Sequence, residues 1–467
     1  MKTLFPFPAP QTLVDHWSAL TFTLQAAIVF VSLAVVFMAL MMLAEWVRGP
    51  VMERHIEGVR VIPASQLAKR TRAKNSQLPC QQLLLGSVPC PVNLQDKHFL
   101  VSGTTGAGKS TFLRAIIRQI RALGAGRRAI IIDLNGEFAA AYRSPGDQIF
   151  NPLDPASLKW NPLAEIRSVA DIDLVLKAAL PTALSADEEG WRQSARQFLR
   201  VLILRLRDGE QLNMTRLRYF TLEAGDKEVA AFLQDGDQPY RVQANQMMST
   251  VKSIIQNCVN DLSLATVESN FSICDWVRSG KGFIFIAPRE KELAALAPLI
   301  STFMNLAIAQ ALSAPVNKRY QSITLIVDEL ATFDLDKFEA VLEKGRKFGL
   351  VAIAGIQTIA QLRKKFGADG ASILLACFRT KVIFNPGDAE TAKRMSEEIG
   401  SQVVERRETS TTSAQGRSSR SVSWRRETRP AVTAESLNAL PDLNAYLKFG
   451  GNYPVARIVI PLALHKT

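Results

Sequence analysis

A chain of 467 residues, 47% hydrophobic and 21% charged, has room for two or three domains with full cores, and its apolar share exceeds that of an ordinary globular protein. Its formal charge of +13 implies a polyanionic partner, either nucleic acid or the acidic inner leaflet of a membrane. The cysteines at 80, 90, 258, 274 and 377 form no C-x-x-C pair, and the histidines at 16, 55, 98 and 465 are widely dispersed, so neither a disulfide framework nor a zinc or hydrolase constellation is indicated.

The surplus apolarity is local. From Leu20 to Ala44 no residue is charged, and only Thr21, Thr23, Gln25 and Ser32 interrupt the run. As a helix this crosses ~30 Å of hydrocarbon, which predicts one transmembrane anchor. A cleaved secretion signal fits less well, because the leader carries Lys2 and Asp15 rather than a basic cluster and the run is too long. Arg48, Arg54, Arg60, Lys69, Arg70, Arg72 and Lys74 follow it, so the positive-inside bias puts the large C-terminal part in the cytoplasm. Residues 1–47 are thus read as tail and anchor, and residues 48–95, ending in Pro89 and Pro91, as a basic connector.

Strand-like runs follow at Phe99–Ser102, Ala129–Leu134, Gly282–Ala287, Ile323–Asp328, Leu350–Ile356 and Thr380–Asn385, several apolar throughout. With helical segments between them they predict an α/β fold, a doubly wound parallel sheet spanning residues 96–168 and 281–467. Residues 169–280 differ: Asp187–Arg207 and Gln243–Leu264 have helical periodicity, with Pro181, Gly209 and Gly236 as breaks, which predicts an inserted all-α domain. Residues 405–429 carry Arg406, Arg407, Arg417, Arg420, Arg425, Arg426 and Arg429 among serines and threonines and read as a solvated or disordered loop. A mobile basic loop can still touch phosphates, and Trp424 could stack on a base.

The chemistry is concentrated in two places. Gly103, Thr104, Thr105, Gly106, Ala107, Gly108, Lys109 and Ser110 form a phosphate-cradling loop between an apolar strand and a helix, with Thr111 next. Its glycines let backbone N–H groups surround phosphates, Lys109 supplies counter-charge, and Ser110 places a hydroxyl on Mg²⁺. The second place is the strand Ile323–Val327 with Asp328 and Glu329 at its end. Asp328 would hold the Mg²⁺ shell and Glu329 would polarise the attacking water, so ATP is the expected substrate and hydrolysis the expected reaction.

Beyond these, Ile132-Asp133-Leu134-Asn135-Gly136-Glu137-Phe138, Asn151-Pro152-Leu153-Asp154 with Trp160-Asn161-Pro162, Val327-Asp328-Glu329-Leu330, Gly345-Arg346-Lys347-Phe348-Gly349 and Gly355-Ile356-Gln357-Thr358 carry a family resemblance. From about residue 46 onward the chain resembles the conjugative type IV secretion coupling proteins, TraD-type members of the FtsK/HerA branch of RecA-like ATPases. The resemblance implies a RecA-like P-loop NTPase core and a homo-hexameric ring, single-pass in the bacterial inner membrane with its motor in the cytoplasm. It further implies that DNA is the cargo and that the partners are a relaxase within its relaxosome and the secretion-channel proteins. By position, Gln357 resembles the residue that senses the γ-phosphate, and Arg346 resembles the one that reaches a neighbour's nucleotide, with Arg379 as second candidate.

Two departures stand out: relatives commonly have two membrane spans, and larger ones carry a long C-terminal tail, whereas this chain stops shortly after the strand-like Val455–Pro461. An ATP-driven pump or receptor for protein effectors is the competing reading. A receptor that only binds nucleotide is disfavoured by the complete set of Lys109, Ser110, Asp328, Glu329 and Gln357.

Overall fold

A computed structural model describes residues 30–33, 35–38, 53–72, 82–124, 126–183, 185–234, 249–313, 322–333, 335, 338–414 and 417–462. Most of the expected anchor lies outside the described residues; 30–33 and 35–38 are helical with exposed side chains. The chain divides into two compact units, 1–57 with 403–429, and 58–402 with 430–467.

The smaller unit contains most of a three-stranded sheet of order β1-β12-β13, built from β1 (Glu53–Gly58), β12 (Ser401–Ala414) and β13 (Arg417–Pro430). The expectation of a loop over 405–429 is therefore corrected, since this stretch is a long β-hairpin. Few of its side chains are apolar, and cross-strand ion pairs such as Arg426–Glu405 at 2.7 Å accompany the pairing.

The larger unit is organised by a ten-stranded sheet, in the order β2-β15-β14-β11-β5-β10-β9-β6-β8-β7 among the described residues. Its strands are β2 (Val61–Pro63), β5 (Phe99–Ser102), β6 (Arg128–Ile132), β7 (Gln148–Phe150), β8 (Phe283–Ile286), β9 (Ile323–Val327), β10 (Leu350–Ile356), β11 (Thr380–Ile383), β14 (Asn444–Phe449) and β15 (Val455–Val459). A small hairpin of β3 (Leu84–Leu85) and β4 (Val88–Pro89) lies apart from it. From β11 through β5, β10, β9, β6 and β8 to β7 every pairing is parallel, whereas β14 joins antiparallel to both β11 and β15. Residues 61–72 and 82–95, expected as connector, belong to this unit, with β2 adding parallel to β15 at the sheet edge.

The central strands are apolar throughout because both faces are covered. Ile130 and Ile132 enter one core cluster while Ala129 and Ile131 enter the other, as a period of two requires. On the second face lies the helix Lys109–Ala122, which buries Phe112, Leu113, Ile116, Ile117 and Ile120 along one stripe. The first face is covered by Glu290–Leu312, a helix long and apolar enough for a membrane but embedded in this core along nearly its whole second half.

Between β7 and β8 the regular elements among the described residues are all helices, among them Val169–Ala179, Ala186–Asp208, Ser249–Leu262 and Ile273–Ser279. Since β7 and β8 are hydrogen-bonded neighbours, this helical excursion leaves and re-enters the sheet at one edge.

Candidate nucleotide site

Strand β5 sits between β10 and β11, so the loop that follows it emerges in the middle of the sheet at the carboxyl ends of the parallel strands. Two hydrogen bonds fasten its start, from Gly103 N to Ile356 O at 3.2 Å and from Thr104 N to Asn385 O at 2.8 Å. Gly106 and Gly108 adopt φ of 83° and 116°, the left-handed region that glycine enters without penalty. Gly103 is needed for space, because a Cβ there would lie 2.7 Å from Phe384 Cβ.

Lys109 is buried at the start of its helix, and its Nζ donates to the carbonyls of Gly103 at 2.6 Å and Thr104 at 3.2 Å. Burial lowers its proton affinity, opposed by the nearby carboxylates of Asp328 and Glu329. Ser110 Oγ donates to Asp328 Oδ2 at 3.1 Å, a contact between residues 218 apart in the chain. Asp328 Oδ1 and both carboxylate oxygens of Glu329 are buried without a hydrogen-bond partner. Desolvation raises Asp328 above the usual carboxylate range, with Lys109 pulling the other way. Glu329 is pushed up to about 7, again by burial; Lys109 and the approaching backbone groups of Ala331 and Gln357 oppose this.

These groups line a cleft of ≈ 240 Å³ together with Thr104, Thr105, Gly106, Gly108, Thr111, Leu134 and Gln357. A hydroxyl and a carboxylate in contact, with one carboxylate oxygen unsatisfied, suit a hard divalent cation that takes oxygen ligands and keeps most of its waters. Ala107 is buried behind the loop, where its carbonyl accepts from Leu443 N at 2.9 Å.

Arg346 is not in this cleft. It pairs with Asp96 at 3.0 Å and is 58% exposed just before β10, and Arg379 directly precedes β11. Both stand at the amino ends of the strands, the end away from the loop.

Gly355 is a site residue whose role does not show in the sequence block Gly355-Ile356-Gln357-Thr358. A Cβ there would lie 1.9 Å from the carbonyl oxygen of Asp328, so only glycine lets β10 pass beside the end of β9. A lone glycine inside the apolar run Leu350–Ile356 was the available signal.

The remaining motif blocks have structural work to do. Asp133 accepts from Phe138 N at 2.9 Å and Ala139 N at 2.6 Å, while Asn135, at φ 65°, accepts from Glu290 N at 3.0 Å. Asn151 Nδ2 donates to Ala287 O at 3.2 Å and to Glu292 at 3.0 Å, tying the end of β7 to the segment after β8. Trp160 packs against Phe150 and Phe303 and donates its indole N–H to buried Glu165 at 3.1 Å. Glu165 also accepts from Ser272 Oγ at 3.1 Å, Ile273 N at 2.6 Å and Cys274 N at 3.2 Å. Arg128 clasps the other end of that short helix, donating to the carbonyls of Trp276 at 2.5 Å and Val277 at 2.8 Å. The two Asn-Pro blocks therefore hold the place where the helical excursion departs from and returns to the sheet.

Residues 82–461 match the family described as the type IV secretion-system coupling protein DNA-binding domain. The chain belongs to this coupling-protein family. Coupling protein TraD of Escherichia coli (strain K12) is 26% identical over 391 residues, which are 80% of this chain and 54% of that protein. This coupling protein thus spans about half the length of TraD. Among solved structures, the unbound form of the bacterial conjugative coupling protein TrwBdeltaN70 superposes with a TM-score of 0.78 at 28% identity, covering 89% of this chain and 95% of that one. Plasmid coupling protein TrwB in complex with ADP and Mg²⁺ gives 0.77 at 28% identity, with 89% and 96% covered. Its complex with the non-hydrolysable ATP analogue ADPNP gives 0.75 at 27% identity over the same shares. The RecA-like α/β core expected from the sequence is the fold that these relatives share.

Proposed function

We propose that this coupling protein is a membrane-anchored, ATP-driven DNA translocase that passes a relaxase-bound DNA strand to a type IV secretion channel during conjugation. The observation that carries the reading is the convergence of Lys109, Ser110, Asp328 and an unsatisfied Glu329 on one cleft at the head of the sheet. TrwB binding ADP with Mg²⁺ in the corresponding fold supports ATP and Mg²⁺ as the ligands here. In this reading the span 20–44 is a single pass through the bacterial inner membrane, the motor is cytoplasmic, residues 169–280 form the inserted all-α domain, and six copies form a ring.

Each residue then has a role. The loop from Gly103 to Thr111 wraps backbone N–H groups around the phosphates, and Lys109 sets its charge against them. Ser110 and Asp328 would hold the metal, whose positive charge would help neutralise the charge that develops on the phosphate. Glu329 takes a proton from the attacking water, and its burial raises its proton affinity in the direction that a general base requires. Gln357 senses the γ-phosphate from the end of β10. Arg346, or Arg379, acts on the cleft of a neighbouring copy, which fits a position remote from its own cleft.

The test is ATP hydrolysis by the chain with and without single-stranded DNA, with Lys109→Ala as blank. Stimulation by DNA that vanishes in the variant supports the translocase. Turnover that needs Lys109 and ignores DNA favours the export of protein effectors instead.

A further inference from the structure

The two faces of the hairpin β12–β13 differ in a way that matters for what they touch. On β13, Val422, Trp424 and Arg426 share a face because strand side chains alternate. The Arg426–Glu405 ion pair at 2.7 Å puts Glu405, and hence Arg407 two residues on, on that same face of β12. On the opposite face Arg425 pairs with Glu408 at 3.8 Å and Arg429 with Glu53 at 2.6 Å, and Arg406 and Glu427 share that face. Trp424 is 52% exposed and Val422 45%, and the Arg426 side chain is 71% exposed even while paired. Both faces hold acids, but on the first, where Glu405 offsets Arg426, an exposed aromatic ring and an aliphatic side chain stand with Arg407 as the net positive charge.

We infer that the Val422, Trp424, Arg407 and Arg426 face of this hairpin docks on the anionic headgroup surface of the membrane that holds the chain. Tryptophan settles at the headgroup level, and arginine lays its stem on apolar surface while its guanidinium meets phosphate. The tether favours lipid over DNA as the occupant. Strand β1, which pairs with β12, begins nine residues after Ala44 (53 − 44 = 9), and nine residues reach at most ~30 Å. This inference rests on the reading of residues 20–44 as a membrane span.

The test reconstitutes the full chain in nanodiscs of phosphatidylcholine alone or with phosphatidylglycerol added, and follows hydrogen–deuterium exchange of residues 403–429. The expected result is exchange about tenfold slower in the anionic discs, with the difference shrinking as salt is raised. Replacing one interfacial arginine removes a factor of about five, so Arg407→Gln should cut the difference that much and Arg425→Gln far less. Reading the difference between lipids keeps the test valid if a variant loosens the hairpin in both. Equal exchange in both discs overturns the docking while incorporation of the chain upholds the span. A chain that never enters the discs removes the span and the docking with it. Protection by single-stranded DNA in neutral discs, with no effect of lipid, assigns the face to nucleic acid and overturns the inference.

Discussion

Replacing Gly355 by alanine should stop hydrolysis while leaving nucleotide binding largely intact. The added Cβ would sit 1.9 Å from Asp328 O and 2.8 Å from Asp328 C. Relieving that contact to the shortest tolerable separation, about 3 Å, requires a shift of at least ~1 Å. Strand β10 cannot retreat, because Gly355 is held in register with Val101 of β5 on its other side. The end of β9 must therefore move, and it carries both acids. Ser110 Oγ and Asp328 Oδ2 stand 3.1 Å apart, so a shift of that size opens the contact beyond hydrogen-bond range. Misplacement by about 1 Å at a reacting centre costs roughly a hundredfold in rate, and the overpacking costs about 1–3 kcal/mol of stability. The assay is steady-state ATP hydrolysis, read beside binding of a fluorescent ADP analogue and a thermal melt. Turnover within about threefold of the parent at an unchanged melting temperature would refute the claim that Gly355 clears the way for Asp328.

Other residues make equally definite claims. Glu165→Gln leaves a neutral acceptor where four donors meet a carboxylate, and should lower stability by roughly 2–3 kcal/mol in a denaturant titration; a loss below about 0.5 kcal/mol would contradict the anchoring role. His98, whose Nδ1 accepts from Ala352 N at 3.0 Å, is lowered to about 4 by burial, against opposing pulls from the Leu342 carbonyl and Asp96. An imidazole with a depressed folded value contributes stability fully above its unfolded 6.5 and loses it as pH falls toward about 4, worth roughly 3 kcal/mol. The stability difference between parent and His98→Asn should accordingly shrink across that window, and a constant difference would show that His98 does not fold neutral. Gly190 lies inside the helix Ala186–Asp208 with nothing within 4 Å of its would-be Cβ, so Gly190→Ala should stabilise by about 0.5–1 kcal/mol; a lower melting temperature would argue that the position is not open.

Much of the sheet was legible because parallel central strands are apolar throughout. The runs at Phe99–Ser102, Ile323–Val327 and Leu350–Ile356 needed no partner to be recognised. Strand order was not legible: nothing in the sequence of β14 says that it turns antiparallel, nor does Val61–Pro63 show that it pairs with a strand near the end of the chain. The hairpin at 401–430 was misread because strand formation there draws on pairing between polar side chains rather than burial, which leaves no hydrophobic signature. In the candidate site the loop and the two acids could be read from residue type and spacing. The demand on Gly355 could not, since it arises from the close approach of two backbones that only the folded sheet brings together. Glu165 was hidden for the opposite reason, as carboxylates are ordinarily solvated and its burial depends on a helix more than a hundred residues away.

The pairing of β2 with β15 has a consequence for biosynthesis. Val61 and Val455 are partners 394 residues apart (455 − 61 = 394). At roughly 5–20 residues per second, the ribosome delivers the second roughly 20–80 s after the first. Throughout that interval β2 waits without its neighbour, and β1 waits almost as long for β12. The sheet edge of the large unit is thus completed long after its first strand has been made. A chain cut short before Val455 would leave an open sheet edge, the kind of surface that recruits chaperones or other chains.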